Sequence, residues 1–105
     1  MKRFEVWAAD IKPTAGSETH KNRPCVIISR DALNNALPWV TIAPLTHSVK
    51  GYPCRVPTDF QNNNGEIVLD QLRCVDKNRL KKLLGVLDAE ESEAICQVLA
   101  IMFDY

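Results

Sequence analysis

The segment from Gly16 to Ser29 holds a dense set of reactive side chains for a chain of 105 residues. Arg23 stands before Pro24, and a residue before proline is pushed out of the helical region into extended backbone. Val26, Ile27 and Ile28 follow as the β-branched run of a strand covered on both faces. Arg23 is thereby delivered to the point where a polar loop meets a buried strand, a good place to hold an anion. The loop itself supplies Ser17, Glu18, Thr19 and His20, which offer hydroxyl, carboxylate and imidazole chemistry within a few positions. The same Arg-Pro pattern also serves as a plain solvated strand boundary, so the assignment needs partners from elsewhere in the chain.

Composition limits what those partners can be. Lys and Arg number 13 and Asp and Glu number 13, so no global positive field draws in a polyanion. Binding to a long duplex is disfavoured. A short single-stranded nucleic acid would need a local patch, for which Lys21, Arg23, Lys50, Arg55 and Arg73 are the candidates. The apolar fraction of 46% and charged fraction of 25% are those of an ordinary soluble domain. The length suits one domain over residues 1–105. Cys25, Cys54, Cys74 and Cys96 are widely spaced, with no zinc-ligand pattern, and read as reduced cysteines, three of them in apolar or β-like runs. No metal or other cofactor is expected. The amino terminus lacks the apolar core of a signal peptide, and no stretch reaches the length of a membrane span. The expected location is the cytoplasm.

The elements that must position these residues read as follows. Phe4 to Ala9 alternates as a first strand, with Val6 and Ala8 on one face and Trp7 on the other. A loop of about a dozen residues then leads to Arg23, and loops that long in small domains are usually functional or disordered. Ser29 to Asn35 reads as a short helical turn or irregular link. Trp39 to Ala43 is a third strand, which Pro44 closes or places at an edge. Gly51-Tyr52-Pro53 is a turn, Cys54-Arg55-Val56 a short strand, and Asn62-Asn63-Asn64-Gly65 a hairpin turn. Glu66 to Leu69 and Leu72 to Val75 are strand-like, as two segments or one bent strand. Asp76 caps a short helix over Lys77 to Leu84 that ends at Gly85. A last helix begins at Asp88, with Glu91 completing a capping box and Ala94, Ile95, Val98, Leu99 and Met102 facing the sheet. About five or six short strands and a terminal helix argue for a mainly β fold with α, a small, strongly bent sheet or barrel.

The order of Val6-Trp7, Pro13 to Glu18, Arg23 to Ser29, Pro44-Leu45-Thr46, Lys50 to Pro53, Asp70-Gln71 and Asp76 to Leu80 resembles the MazF/PemK family of toxin ribonucleases. The resemblance spans nearly the whole chain. It implies an SH3-like barrel of the CcdB/PemK type and a homodimer. It also implies sequence-specific, metal-independent cleavage of single-stranded RNA, with mRNA as the expected target, and neutralisation by a cognate antitoxin. The family's catalytic arginine and threonine match Arg23 and Thr46, and Ser17, Glu18 and Gln71 match positions near the substrate. One departure is Phe4-Glu5 where the family usually shows Gly-Asp, which bears on the packing of the amino terminus. Fold alone would also admit a non-catalytic, CcdB-like inhibitor of DNA gyrase or an inactive RNA-binding relative.

Metal-independent cleavage proceeds by attack of a 2′-hydroxyl on the adjacent phosphorus, through a phosphorane that carries extra negative charge. A guanidinium matches phosphate oxygens in shape and stays charged at any working pH, which suits Arg23 to stabilising that charge. The Thr46 hydroxyl can donate to the same phosphate. The acid and base are left among Glu18, His20 and His47. Gln71 can read a base edge, and Trp39, Tyr52 and Phe60 can stack on unpaired bases or fill the core. Lys50, Arg55 and Arg73 are candidate contacts to flanking phosphates.

Overall fold

The run after Arg23 is buried on both faces: Cys25, Val26 and Ile27 are each fully inaccessible, and Ile28 nearly so. The computed structural model describes residues 1–11 and 22–105. Within them the chain forms β1 (Glu5–Asp10), β2 (Asn22–Ile27), α1 (Asp31–Ala36), β3 (Trp39–Thr46), β4 (Arg55–Thr58), β5 (Gly65–Val68), β6 (Arg73–Asp76), β7 (Leu80–Val86) and α2 (Ala89–Met102). The strands pair antiparallel in the order β4-β5-β3-β2-β1-β7, with β6 also on β3. The mainly β, strongly bent sheet with a carboxy-terminal helix is therefore as expected. The ladders leave β4 and β7 as edges, but Gln61, in the β4–β5 connection, donates its side-chain N–H to the Leu84 carbonyl of β7 at 2.9 Å. That contact brings the two ends of the sheet together in the manner of a barrel.

Two cores lie on opposite faces of the sheet. Val6, Val26, Ile28, Ala43, Leu45, Val56, Ile67 and Leu69 pack with Ile95 of α2, and Ala94, Val98, Leu99 and Met102 close over them. Ala9, Ile11, Cys25, Ile27, Val40, Ile42, Val75 and Leu80 form the other, with Trp7 against it. Alternation along β2 and β3 sends successive residues to different cores, which is why these strands read as unbroken apolar runs.

Several expectations are corrected. Pro44 neither ends β3 nor marks an edge; it is buried inside a central strand opposite Cys25. The Ile28 N–H donates to the Thr41 carbonyl at 2.9 Å. By alternation Cys25 and Pro44 then form a non-hydrogen-bonded pair, so the position of the missing N–H faces away from β2. On that side β6 pairs residues 39–42 and β5 pairs 45–46, and Pro44 falls in the gap between them. Residues 77–84 are not a helix: Lys77–Arg79 make one 3₁₀ turn and β7 follows, because β1 offers it an open ladder. Gly85 is accordingly a strand residue, and a Cβ there would meet the Phe60 ring at 2.9 Å.

The connection from β4 to β5 spans residues 59–64, with positive φ at Gln61 and Asn62, and Gly65 already belongs to β5. Asp88 caps α2 by accepting the Glu91 N–H at 2.7 Å, as expected. The Glu91 carboxylate, however, accepts from the Thr58 hydroxyl at 2.8 Å and the Asp59 N–H at 3.1 Å, tying the helix to β4. Of the four free cysteines only Cys25 is buried; Cys54 and Cys96 are half-buried and Cys74 is exposed. Phe4 precedes β1 and takes a φ of 70°, the left-handed region. This is the position where the resembling family places glycine. Its ring packs against the first core and lies 4.8 Å from the Arg3 guanidinium, contacts that offset a backbone cost of about 1–2 kcal/mol.

Candidate active site

β2 and β3 position Arg23 and Thr46. Their ladder pairs Ile27 with Ile42, Val26 with Ala43 and Cys25 with Pro44. Carried two residues further, the same register sets Arg23 opposite Thr46, near the ends of their strands. Both residues line one cleft of about 370 Å³, with His47 and Asn22 at its mouth and Phe60, Gln61 and Asn63 of the β4–β5 connection as its far wall. Arg23 and Thr46 are half-buried and His47 is exposed.

The Thr46 Oγ1 accepts the Ser48 N–H at 3.1 Å. Its own proton is then available to donate outward, the polarity a phosphate oxygen requires. Among the described residues no ion pair involves Arg23. Cys25, two residues on, has its thiol pushed up to about 12 by burial, against the opposing pull of Arg23 and Arg73. It is a packing residue and not a nucleophile.

The other candidates do not all converge here. Ser17, Glu18 and His20, and Lys21 with them, lie outside the described residues. Gln71 ends a 3₁₀ turn, Leu69–Gln71, that packs on β3 beyond the cleft lining. Arg73 lines a separate open pocket with Trp39, Cys74, Asp76 and Arg79. Lys50 is exposed in the β3–β4 connection. Arg55 is committed within the protein: Nε and a terminal nitrogen grip both oxygens of Asp70 at 3.0 and 3.3 Å, and the other terminal nitrogen reaches Glu66 at 3.5 Å. A flanking phosphate would have to displace those carboxylates. Tyr52 covers that guanidinium, its ring 5.0 Å away. Of the three aromatic candidates only Phe60 lines the cleft.

Sequence reasoning passed over Gln61, Asn63 and Glu66. The first two sit in what reads locally as a turn, and only β7 closing on that turn makes them a wall. Glu66 is 3% exposed between Gly65 and Ile67. The N–H groups of Lys50 and Gly51, at 3.0 and 2.9 Å, hold its carboxyl below the usual carboxylate range, with Arg55 adding to the effect. A lone glutamate in an apolar strand was the available signal.

A bent antiparallel sheet capped by one helix, with an arginine and a threonine among the residues lining one cleft, describes a small β-barrel-like protein. The family model described as PemK-like, MazF-like toxin of type II toxin-antitoxin system matches residues 2–103. Endoribonuclease MazF of Staphylococcus saprophyticus is 32% identical over 109 residues, covering 96% of this chain and 89% of that protein. Mycobacterium tuberculosis toxin MazF-mt6 superimposes with a TM-score of 0.79 at 25% identity, over 95% of this chain and 96% of that one. MazF from Deinococcus radiodurans, 22% identical, shares the fold with a TM-score of 0.81 over 100% and 97% of the two chains. The chain belongs to the PemK-like, MazF-like toxin family of type II toxin–antitoxin systems.

Proposed function

We propose that this toxin is a sequence-specific endoribonuclease that cuts single-stranded RNA without a metal ion, using Arg23 and Thr46. The observation that carries the reading is their convergence on one cleft, together with the endoribonuclease relative. The 2′-hydroxyl attacks the adjacent phosphorus, the P–O5′ bond breaks, and the products are a 2′,3′-cyclic phosphate and a free 5′-hydroxyl. Arg23 neutralises the charge that builds on the non-bridging oxygens, and Thr46 donates to one of them. A single aimed donor of this kind is worth about 3 kcal/mol in the transition state. One proton leaves the 2′-hydroxyl and one reaches the departing O5′; His47, at the cleft mouth, is the described residue able to exchange either.

The chain acts as a homodimer in the cytoplasm with mRNA as its target. Among the described residues no helix is long and apolar enough to cross a membrane. A cognate antitoxin occupies the same cleft with an acidic, partly extended segment that competes for Arg23. Solved MazE-MazF structures from Deinococcus radiodurans contain a chain of the same fold as this one, which supports a cognate antitoxin as the partner.

The test is cleavage of a long, unstructured RNA in EDTA with mapping of the ends, for wild type, Arg23→Ala and Thr46→Ala. Discrete cuts that survive EDTA, leave cyclic phosphate ends and fall by roughly 100- to 1,000-fold in each folded variant are expected. A folded wild-type protein that leaves the RNA intact would overturn the reading, and gyrase inhibition would be the next assay.

A further inference from the structure

A buried carboxylate in the middle of an apolar strand is costly unless every oxygen is matched. Glu66 is matched, and nearly all of its partners lead to one place. Its two oxygens take the N–H groups of Lys50 and Gly51, separately, at 3.0 and 2.9 Å. Both donors belong to the β3–β4 connection, residues 47–54, which leaves β3 immediately after Thr46. Glu66 is also the cross-strand partner of Thr46 on one side and of Pro57 on the other. Arg55, at the far end of the same connection, completes the set at 3.5 Å and is itself held by Asp70.

Its neighbour reinforces the grip. A Cβ on Gly65 would lie 2.1 Å from the Thr46 carbonyl oxygen and 3.4 Å from the His47 Cα, so β5 presses directly on the Thr46–His47 peptide. Gly51 takes a φ of 69°, which turns the connection back so that its N–H can meet Glu66. Fold stability alone would be served by an apolar side chain at position 66. What the carboxylate adds is a fixed path for the segment that carries the cleft edge.

We propose that Glu66 is a positioning residue of this toxin: by clamping the Lys50 and Gly51 amides it holds the β3–β4 connection, and with it the Thr46 hydroxyl and His47, where the scissile phosphate is met. This rests on the ribonuclease reading given above. Glu66 itself touches no substrate. Its loss displaces a donor aimed at the transition state, and displacements near 1 Å cost on the order of 100-fold in rate.

The experiment compares wild type, Glu66→Gln and Glu66→Asp on a short single-stranded RNA carrying the cut site mapped for wild type, alongside 15N-edited NMR of the Lys50 and Gly51 amides. Glu66→Gln keeps the shape but loses the charge and turns an N–H toward a donor. Glu66→Asp keeps the charge but is one methylene too short to hold both amides, and it carries the test if the glutamine variant does not fold. The expected result is a kcat lowered roughly 10- to 100-fold with KM little changed, in protein that still unfolds cooperatively, and upfield movement of both amide protons. Wild-type kcat in a folded variant would overturn the proposal. So would an activity loss no larger than the unfolded fraction, or a rise in KM alone. A folded wild type that does not cleave would overturn the ribonuclease reading and this proposal with it, whereas wild-type cleavage with unaffected variants overturns the proposal only.

Discussion

At the scale of single residues, the chemistry of the cleft depends on side-chain type more than on charge. Arg23→Lys keeps the positive charge but exchanges a planar fork for a point charge, so two phosphate oxygens can no longer be held in parallel. We expect its kcat to stay at least about tenfold below wild type, equivalent to about 1.4 kcal/mol. Thr46→Ser keeps the hydroxyl that accepts the Ser48 N–H and should retain most activity, while Thr46→Val, of similar shape, should lose it. Single-turnover cleavage with each folded variant decides both points; equal rates for the serine and valine variants would remove Thr46 from the mechanism. Arg23 was legible in the sequence because Pro24 and the β-branched run fix its local setting. Arg55 stood among the phosphate candidates because nothing local announces that Asp70 and Glu66 enclose it.

At the scale of elements, β5 is the strand that ties the cleft edge to the sheet. Gly65→Ala would put a methyl group 2.1 Å from a backbone oxygen of β3, where no flexible side chain can yield. The strands must separate, at a cost of about 1–3 kcal/mol or more, and the urea midpoint should fall accordingly. A midpoint equal to wild type would mean that β5 does not approach β3 this closely. Helix α2 was read well because its cap and its apolar face lie within one continuous segment. The strand at residues 80–86 was mistaken for a helix: Lys81 and Lys82 before a glycine imitate a helix end, and the competing signal is a ladder with β1, over 70 residues away.

At the scale of the whole molecule, three carboxylates among the described residues titrate below their ordinary range. Burial pushes Glu5 up, but the Lys2 N–H and the Trp7 indole outweigh it. Burial likewise raises Asp70, and Arg55 reverses the balance. In Glu66 the Lys50 and Gly51 amides dominate. Groups whose folded pKa is depressed stabilise the protein above the ordinary values of 4.5 for glutamate and 3.8 for aspartate, and that stability is lost as pH falls through the folded values. Cys25 acts at the other end. Its thiol is raised from 9.0 to about 12, so the unfolded state loses its proton first and stability falls as pH rises through that window. Stability measured by urea unfolding should be nearly level from about pH 5 to 8, decline on both sides, and show a shallower acid limb in Glu66→Gln. An acid limb unchanged by that substitution would contradict the clamp.

What the sequence determined by itself is whatever torsions and side-chain alternation encode locally: the extended Arg23-Pro24 boundary, a β2 strand buried on both faces, and an α2 helix capped by Asp88 with Ile95 inward. The ordered motifs along the chain also pointed to the family. Only the tertiary structure decided that Pro44 could lie inside a central strand, that residues 80–86 would be β7, and that Glu66 would turn inward to the β3–β4 connection. Each of these depends on a partner distant in the chain. Pro44 is tolerated because two strands leave a gap beside it, and Glu66 is stable in the interior because the amides of Lys50 and Gly51 return to meet it.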